Sequence, residues 1–219
     1  MKPDEAEKKG IELESLRKEQ RKLAKAVQCK DIFDFNLAEK FLGIVSETNN
    51  KEIIASVVLL NENLEVLESK FAIKKANFPY IPGFRAYREL NVIIEAFEKL
   101  TEAPDVIFIL GHGISHPRGL GIASHLGVSL QRPVIGIVKS LVTGVQEEDE
   151  IYLGKKVVAK KIETKENSKP IYVSPGNLIS LKKAIDLTKK LTIAPHKLPE
   201  PLVQARKFAN NVRKELTQG

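Results

Sequence analysis

The sequence has no tryptophan, one methionine and one cysteine in 219 residues. A lone thiol, Cys29, excludes an internal disulfide and any zinc site built on several cysteines. It points to an intracellular protein, with the cytoplasm as the expected location and Cys29 read as a small buried apolar residue. No apolar run approaches the roughly 20 residues a membrane-spanning helix needs. The opening residues, Met1-Lys2-Pro3-Asp4-Glu5, are polar and do not read as a secretory signal. No membrane partner is therefore expected. Cysteine and methionine are scarce while lysine and glutamate abound, a composition of the thermophile-like kind. Internal repeats and low-complexity linkers are absent, so residues 1–219 read as a single domain.

Hydrophobic residues make up 42% of the chain and charged residues 29%, enough for a sizeable core under a charged surface. The net charge of +7 is uneven. Residues 151–219 hold 15 Lys and Arg against 5 Asp and Glu, a net +10, which leaves −3 for the first 150. Lys155, Lys156, Lys160, Lys161, Lys182, Lys183, Lys189 and Lys190 dominate that basic third. Two readings stand: a face that binds polyanions by releasing counterions, or a solvated lysine-rich surface.

Apolar periodicity predicts a helix over residues 4–29, within an N-terminal segment 1–30, and a final helix within 200–219. Residues 41–46 and 52–60 read as a hairpin turned at Asn49-Asn50, and 64–72 as a third antiparallel strand. Leu90, Ile93, Ile94, Phe97 and Leu100 share one face of a helix over 85–100. Short buried strands follow at 106–110 and 133–138, with a helical stretch at 117–128 between them. Two or three lysine-decorated strands lie in 151–173, and a helix is expected over 176–191. This order predicts an α/β fold: a mixed sheet, antiparallel in its first three strands and then parallel, with helices on both faces. In such sheets ligands gather at the carboxyl ends of strands, here near residues 45, 110 and 138.

The end at 110 is unusual. The run Val106-Ile107-Phe108-Ile109-Leu110 breaks into Gly111-His112-Gly113-Ile114-Ser115-His116-Pro117-Arg118. A turn this rich in glycine and histidine is shaped to present chemistry, yet a leucine stands at the strand end. Upstream, Pro79-Tyr80-Ile81-Pro82-Gly83-Phe84 is a rigid loop that two prolines and a glycine keep out of regular structure.

These blocks resemble the endonuclease V family. The resemblance is carried by Pro79 to Phe84, Tyr87-Arg88-Glu89, Gly111 to Arg118, Gly121-Ile122-Ala123-Ser124-His125-Leu126-Gly127 and Val138-Lys139-Ser140. Gln20 to Asp31, Ser174-Pro175-Gly176 and Leu198-Pro199-Glu200-Pro201 extend it over most of the chain. It implies a ribonuclease-H-like fold and a metal-dependent endonuclease that cuts 3′ of deoxyinosine in DNA or inosine in RNA. Such chemistry uses Mg²⁺ or Mn²⁺ held by carboxylates.

Carried over residue by residue, the resemblance implies aspartates at Val45 and Leu110 and a histidine at Asn177. Glu89 and Lys139 remain as catalytic remnants, with Lys139 expected to pair with Glu89 or a phosphate. Glu89 is then the sole surviving ligand candidate, and no resident metal or other cofactor is expected. The implied nucleic-acid surface comprises Pro79, Tyr80, Ile81, Pro82 and Gly83 as a wedge, with Tyr80 and Ile81 inserting where a base is flipped out. Gly111, Gly113, His116, Arg118, Ile122 and Val142 surround it. Arg85 stands where the family usually has an apolar residue, and Arg85 and Arg88 are phosphate-contact candidates.

The leading expectation is a catalytically impaired family member that binds single-stranded or distorted DNA or RNA. One alternative is an active nuclease with a site rebuilt from Glu89, Glu47 and His112. The other is a non-catalytic subunit with a protein partner.

Overall fold

The computed structural model describes residues 1–8, 10–48 and 52–218. The expected turn at Asn49-Asn50 lies outside them. Two N-terminal helices, α1 (Pro3–Lys8) and α2 (Leu13–Ala24), replace the single helix expected over 4–29. Gly10, with φ +79°, stands between them in the left-handed region that ends helices.

One nine-stranded sheet follows, in the order β3-β2-β1-β4-β5-β9-β8-β7-β6. Strands β1 (Phe41–Thr48), β2 (Glu52–Leu60) and β3 (Val66–Lys75) form the antiparallel meander. Strands β4 (Val106–Leu110) and β5 (Val134–Val138) add parallel to β1. The parallel run stops there. β6 (Val145–Glu147), β7 (Glu150–Leu153), β8 (Lys156–Ile162) and β9 (Ile171–Asn177) join by antiparallel pairing, with β9 against β5.

Helices cover both faces. α3 (Arg85–Glu98) and α4 (Ile122–Leu130) pack on one, and α5 (Leu181–Lys190) and α6 (Glu200–Gln218) on the other. Strand parity assigns side chains between the layers, since successive residues face opposite ways. Leu42, Ile44, Ile107 and Ile109 pack under α3 and α4. Phe41, Val45, Val106 and Phe108 pack under α5 and α6. A core on both faces explains why β4 reads as an unbroken apolar run. At Gly43 the α6 backbone comes so close that an added Cβ would overlap the Pro201 carbonyl. The absence of a side chain there lets α6 lie directly on β1.

Candidate functional site

The carboxyl ends of β1, β4 and β5 lie side by side: Ile44 pairs with Ile109, one residue before Val45 and Leu110, and Leu110 pairs with Ile137. By parity, Val45 turns toward α6 and joins the cluster of Leu202, Ala205 and Ala209; Leu110 packs against the same cluster. The two positions that the resemblance marks for aspartates therefore belong to the hydrophobic core.

Glu89 lies on the other layer. It sits on α3 and is 2% exposed. Its Oε2 accepts from Ser46 Oγ at 2.6 Å and from Arg85 Nε at 2.7 Å. The same guanidinium donates through Nη1 to the Leu110 carbonyl at 2.6 Å and through Nη2 to Ser46 Oγ at 3.0 Å. Arg85 thus bridges α3, the end of β1 and the end of β4. Glu89 and Arg85 are four residues apart on a helix, so they meet on one face.

The other implied ligand positions are not brought to Glu89. Asn177 pairs with Val134 at the start of β5, roughly 10 Å along the sheet from the level of Leu110. Its amide is used there, accepting from Gln28 N at 3.0 Å and donating to Gly127 O at 2.9 Å. Lys139 does not pair with Glu89. It lines a second cavity of ≈ 330 Å³ with Lys197, Leu198, Arg206 and Lys207. The Arg206 charge, with desolvation and Lys197, holds its amine below the ordinary lysine range. Glu47, the substitute carboxylate of the rebuilt-site alternative, pairs with Arg213 of α6 at 3.2 Å. His112 lies beside Arg85. Burial, then the Arg85 charge, lowers its pKa to about 4, so it is neutral at pH 7. Among the described residues no group of three or more His, Cys, Asp or Glu gathers to hold a metal ion. The residues around Glu89 do not fit the divalent ion that the resemblance implies, because this carboxylate is already bound by Arg85 and no second one is gathered beside it among the described residues.

On the α3–α4 side a cavity of ≈ 300 Å³ opens beside this network. Tyr80, Pro82, Gly83, Arg85, Gly111, His116, Arg118, Ile122 and Val142 line it, so the proline-rich loop and the glycine-rich turn meet at one cavity. The wedge is narrower than the sequence implied. Tyr80 is 55% exposed, but Ile81 is fully buried beside Ala6, Leu13 and Phe84. Ile81 anchors the loop and does not insert.

The loop is held at the Gly83 carbonyl. Gln20 Nε2 donates to it at 3.0 Å, Arg118 Nη2 at 2.7 Å and His116 Nε2 at 3.2 Å. His116 Nδ1 accepts from Arg118 N at 3.3 Å, which fixes the neutral tautomer with the proton on Nε2. Burial first, then the Arg118 charge, lowers its pKa to about 4. Arg118 also bonds Gln20 Oε1 and lies 4.6 Å over the Phe84 ring. Arg88 supports the loop from behind, donating to Phe78 O at 2.5 Å. The backbone N–H of Gly113 donates to Ser174 Oγ at 2.9 Å, tying the turn to β9.

Sequence reasoning missed Ser46, Gln20 and the cations Lys197, Arg206 and Lys207. The i,i+4 spacing of Arg85 and Glu89 was the one local signal for the bridge. Nothing local marks Gln20, whose partners lie 63 and 98 residues away.

Ribonuclease-H-like topology, a stiff loop and a glycine-rich turn around one cavity define a nuclease-type α/β scaffold. The endonuclease V sequence profile matches residues 21–207, and the chain belongs to that family. Endonuclease V of Thermosipho melanesiensis is 39% identical over 173 residues, covering 75% of this chain and 76% of that one. The Bacillus subtilis endonuclease V structure superposes with a TM-score of 0.87 at 25% identity, over 95% of this chain and 94% of that chain. A variant of Ciona intestinalis endonuclease V superposes at 0.84 and 25% identity, over 93% and 98%. It was solved with a 23mer DNA containing an inosine followed by a ribo-adenosine.

Proposed function

We propose that this family member binds single-stranded or distorted nucleic acid, takes a purine base into the ≈ 300 Å³ cavity, and does not cut by the family's metal chemistry. The observation that carries this reading is the placement of Val45 and Leu110 in the α6-side core, which leaves Glu89 as the one carboxylate at this end of the sheet that is buried among the described residues. Hydrolysis of a phosphodiester at useful rates needs an activated water and stabilisation of developing negative charge. One carboxylate already bound by a guanidinium supplies neither.

Binding has different requirements, and support for it is local. Tyr80 is exposed on a loop held at Gly83, and Ile122, Val142 and Leu120 give the cavity apolar walls. An aromatic on a stiff loop can fill the gap left by a flipped base. The inosine-containing DNA in the Ciona relative is consistent with a hypoxanthine ligand.

The test uses labelled oligonucleotides with and without inosine, as DNA and RNA, single- and double-stranded. Nicking and mobility shift are read from the same samples in Mg²⁺, in Mn²⁺ and in EDTA. Binding without nicking is expected, with inosine strands preferred and Tyr80→Ala binding more weakly. Metal-dependent nicking that Glu89→Gln abolishes would establish the active-nuclease alternative. No binding to any strand, even at low salt, would move the cleft to the protein-partner reading, because phosphate contacts are strongest there.

A further inference from the structure

We infer that Arg85 is the resident cation of this site: its guanidinium fills a three-oxygen position and keeps divalent ions out of it. The inference deepens the binding reading above and rests on it only for the last step.

The three oxygens are Glu89 Oε2, Leu110 O and Ser46 Oγ, each met by a different nitrogen of one guanidinium at 2.7, 2.6 and 3.0 Å. A carboxylate, a backbone carbonyl and a hydroxyl are hard donors of the kind Mg²⁺, Ca²⁺ and Mn²⁺ accept. They come from α3, β4 and β1. Here they hold a planar monocation.

The exchange has a chemical logic. Glu89 is buried, and a buried carboxylate without a cation is costly. Arginine does not lose its proton in proteins, so the partner is permanent. It is also tethered one helical turn from Glu89, at an effective concentration no free ion matches. A divalent ion would have to expel the guanidinium from all three oxygens.

The bridge leaves Arg85 able to do more. A guanidinium has five N–H groups, and these bonds use one on each nitrogen. One hydrogen on Nη1 and one on Nη2 remain. The side chain is 31% exposed and lines the base-sized cavity. Those two hydrogens meet an acceptor oxygen of the bound strand, so affinity for nucleic acid is set without added metal.

The primary experiment uses no nucleic acid. Manganese is titrated into wild type and Arg85→Ala by calorimetry, with thermal unfolding in parallel. Wild type is expected to give no binding heat and no change in Tm. Arg85→Ala is expected to lose roughly 10 °C of Tm, the scale for breaking a buried pair in a domain this size. Low-millimolar Mn²⁺ or methylguanidinium should recover part of the loss, and neither should help Arg85→Ala/Glu89→Gln. Arg85→Gln, which removes the charge but keeps bulk and hydrogen-bonding capacity, is read the same way should Arg85→Ala fail to fold. Mn²⁺ binding to wild type as tight as to the variant would overturn the inference, as would a variant that responds to neither additive. A separate arm compares oligonucleotide affinity of wild type in EDTA and in Mg²⁺, with equal values expected. Absence of oligonucleotide binding would sink the functional reading and leave the manganese result standing.

Discussion

Gly83 is the residue on which the loop's geometry turns. Its φ of +80° lies where side chains are strained, and an added Cβ would sit 2.7 Å from Arg118 Nη2. Its carbonyl is also the acceptor for Gln20, His116 and Arg118. Gly83→Ala is therefore expected to cost about 1–3 kcal/mol, read by chemical denaturation. Its larger effect should be on binding, because Arg118 must move to admit the methyl group and the latch loosens with it. An alanine variant with unchanged oligonucleotide affinity would mean that the latch does not position Tyr80.

At the scale of elements, α6 brings Arg206 and Lys207 to Lys139 at the end of β5, with Lys197 from the loop before it. No carboxylate lies within ion-pair distance of these four among the described residues. Such a group repels itself until an anion arrives, and phosphates of a bound strand are suitable anions. Each of Arg206→Ala and Lys207→Ala is expected to flatten the log–log salt dependence of oligonucleotide affinity by roughly 0.7–0.9. A salt slope unchanged in both variants would place the strand elsewhere.

Some of this arrangement was legible in the sequence. The meander, α3 and the buried β4 and β5 followed from periodicity, because each has a face that must be apolar. The late helix did not. Residues 176–177 read as its start, but pairing with β5 holds them in β9, and Asn177 is drawn into bonds with Gln28 and Gly127. The helix begins instead after Ser180, whose hydroxyl accepts from Lys183 N. Tertiary pairing overrode a local proline–glycine signal. In the same way, Val45 and Leu110 stood out by resemblance, while the bridge from Arg85 to Glu89, Ser46 and the Leu110 carbonyl needed the sheet and α3 to be placed together.

Taken as a whole, the molecule holds three histidines whose pKa is lowered by burial: His112, His116 and, in direction only, His125 on α4. His112 and His116 each have a pKa of about 4, against about 6.5 for an unfolded chain. Between those values the unfolded state binds protons that the folded state refuses. Stability is thus fully present above about pH 6.5 and is lost as pH falls toward 4, with a slope of up to about 1.4 kcal/mol per pH unit for each histidine. Urea midpoints measured from pH 8 to pH 4 should fall across this window. His116→Gln should reduce the slope by about one proton. A flat profile would mean that the rings take up protons as readily in the folded protein as in the unfolded chain.

The support beneath Tyr80 has a consequence for how the chain can be cut. Gln20 belongs to α2, and Met1 donates its terminal amine to the Tyr80 carbonyl at 3.0 Å. Leu13 of α2 and Ala6 of α1 pack directly on Ile81. The first two dozen residues are thus a strut for a loop that lies some sixty positions downstream. Trimming them to obtain a tidier fragment would leave the sheet and its helices standing, but the tyrosine would lose its footing.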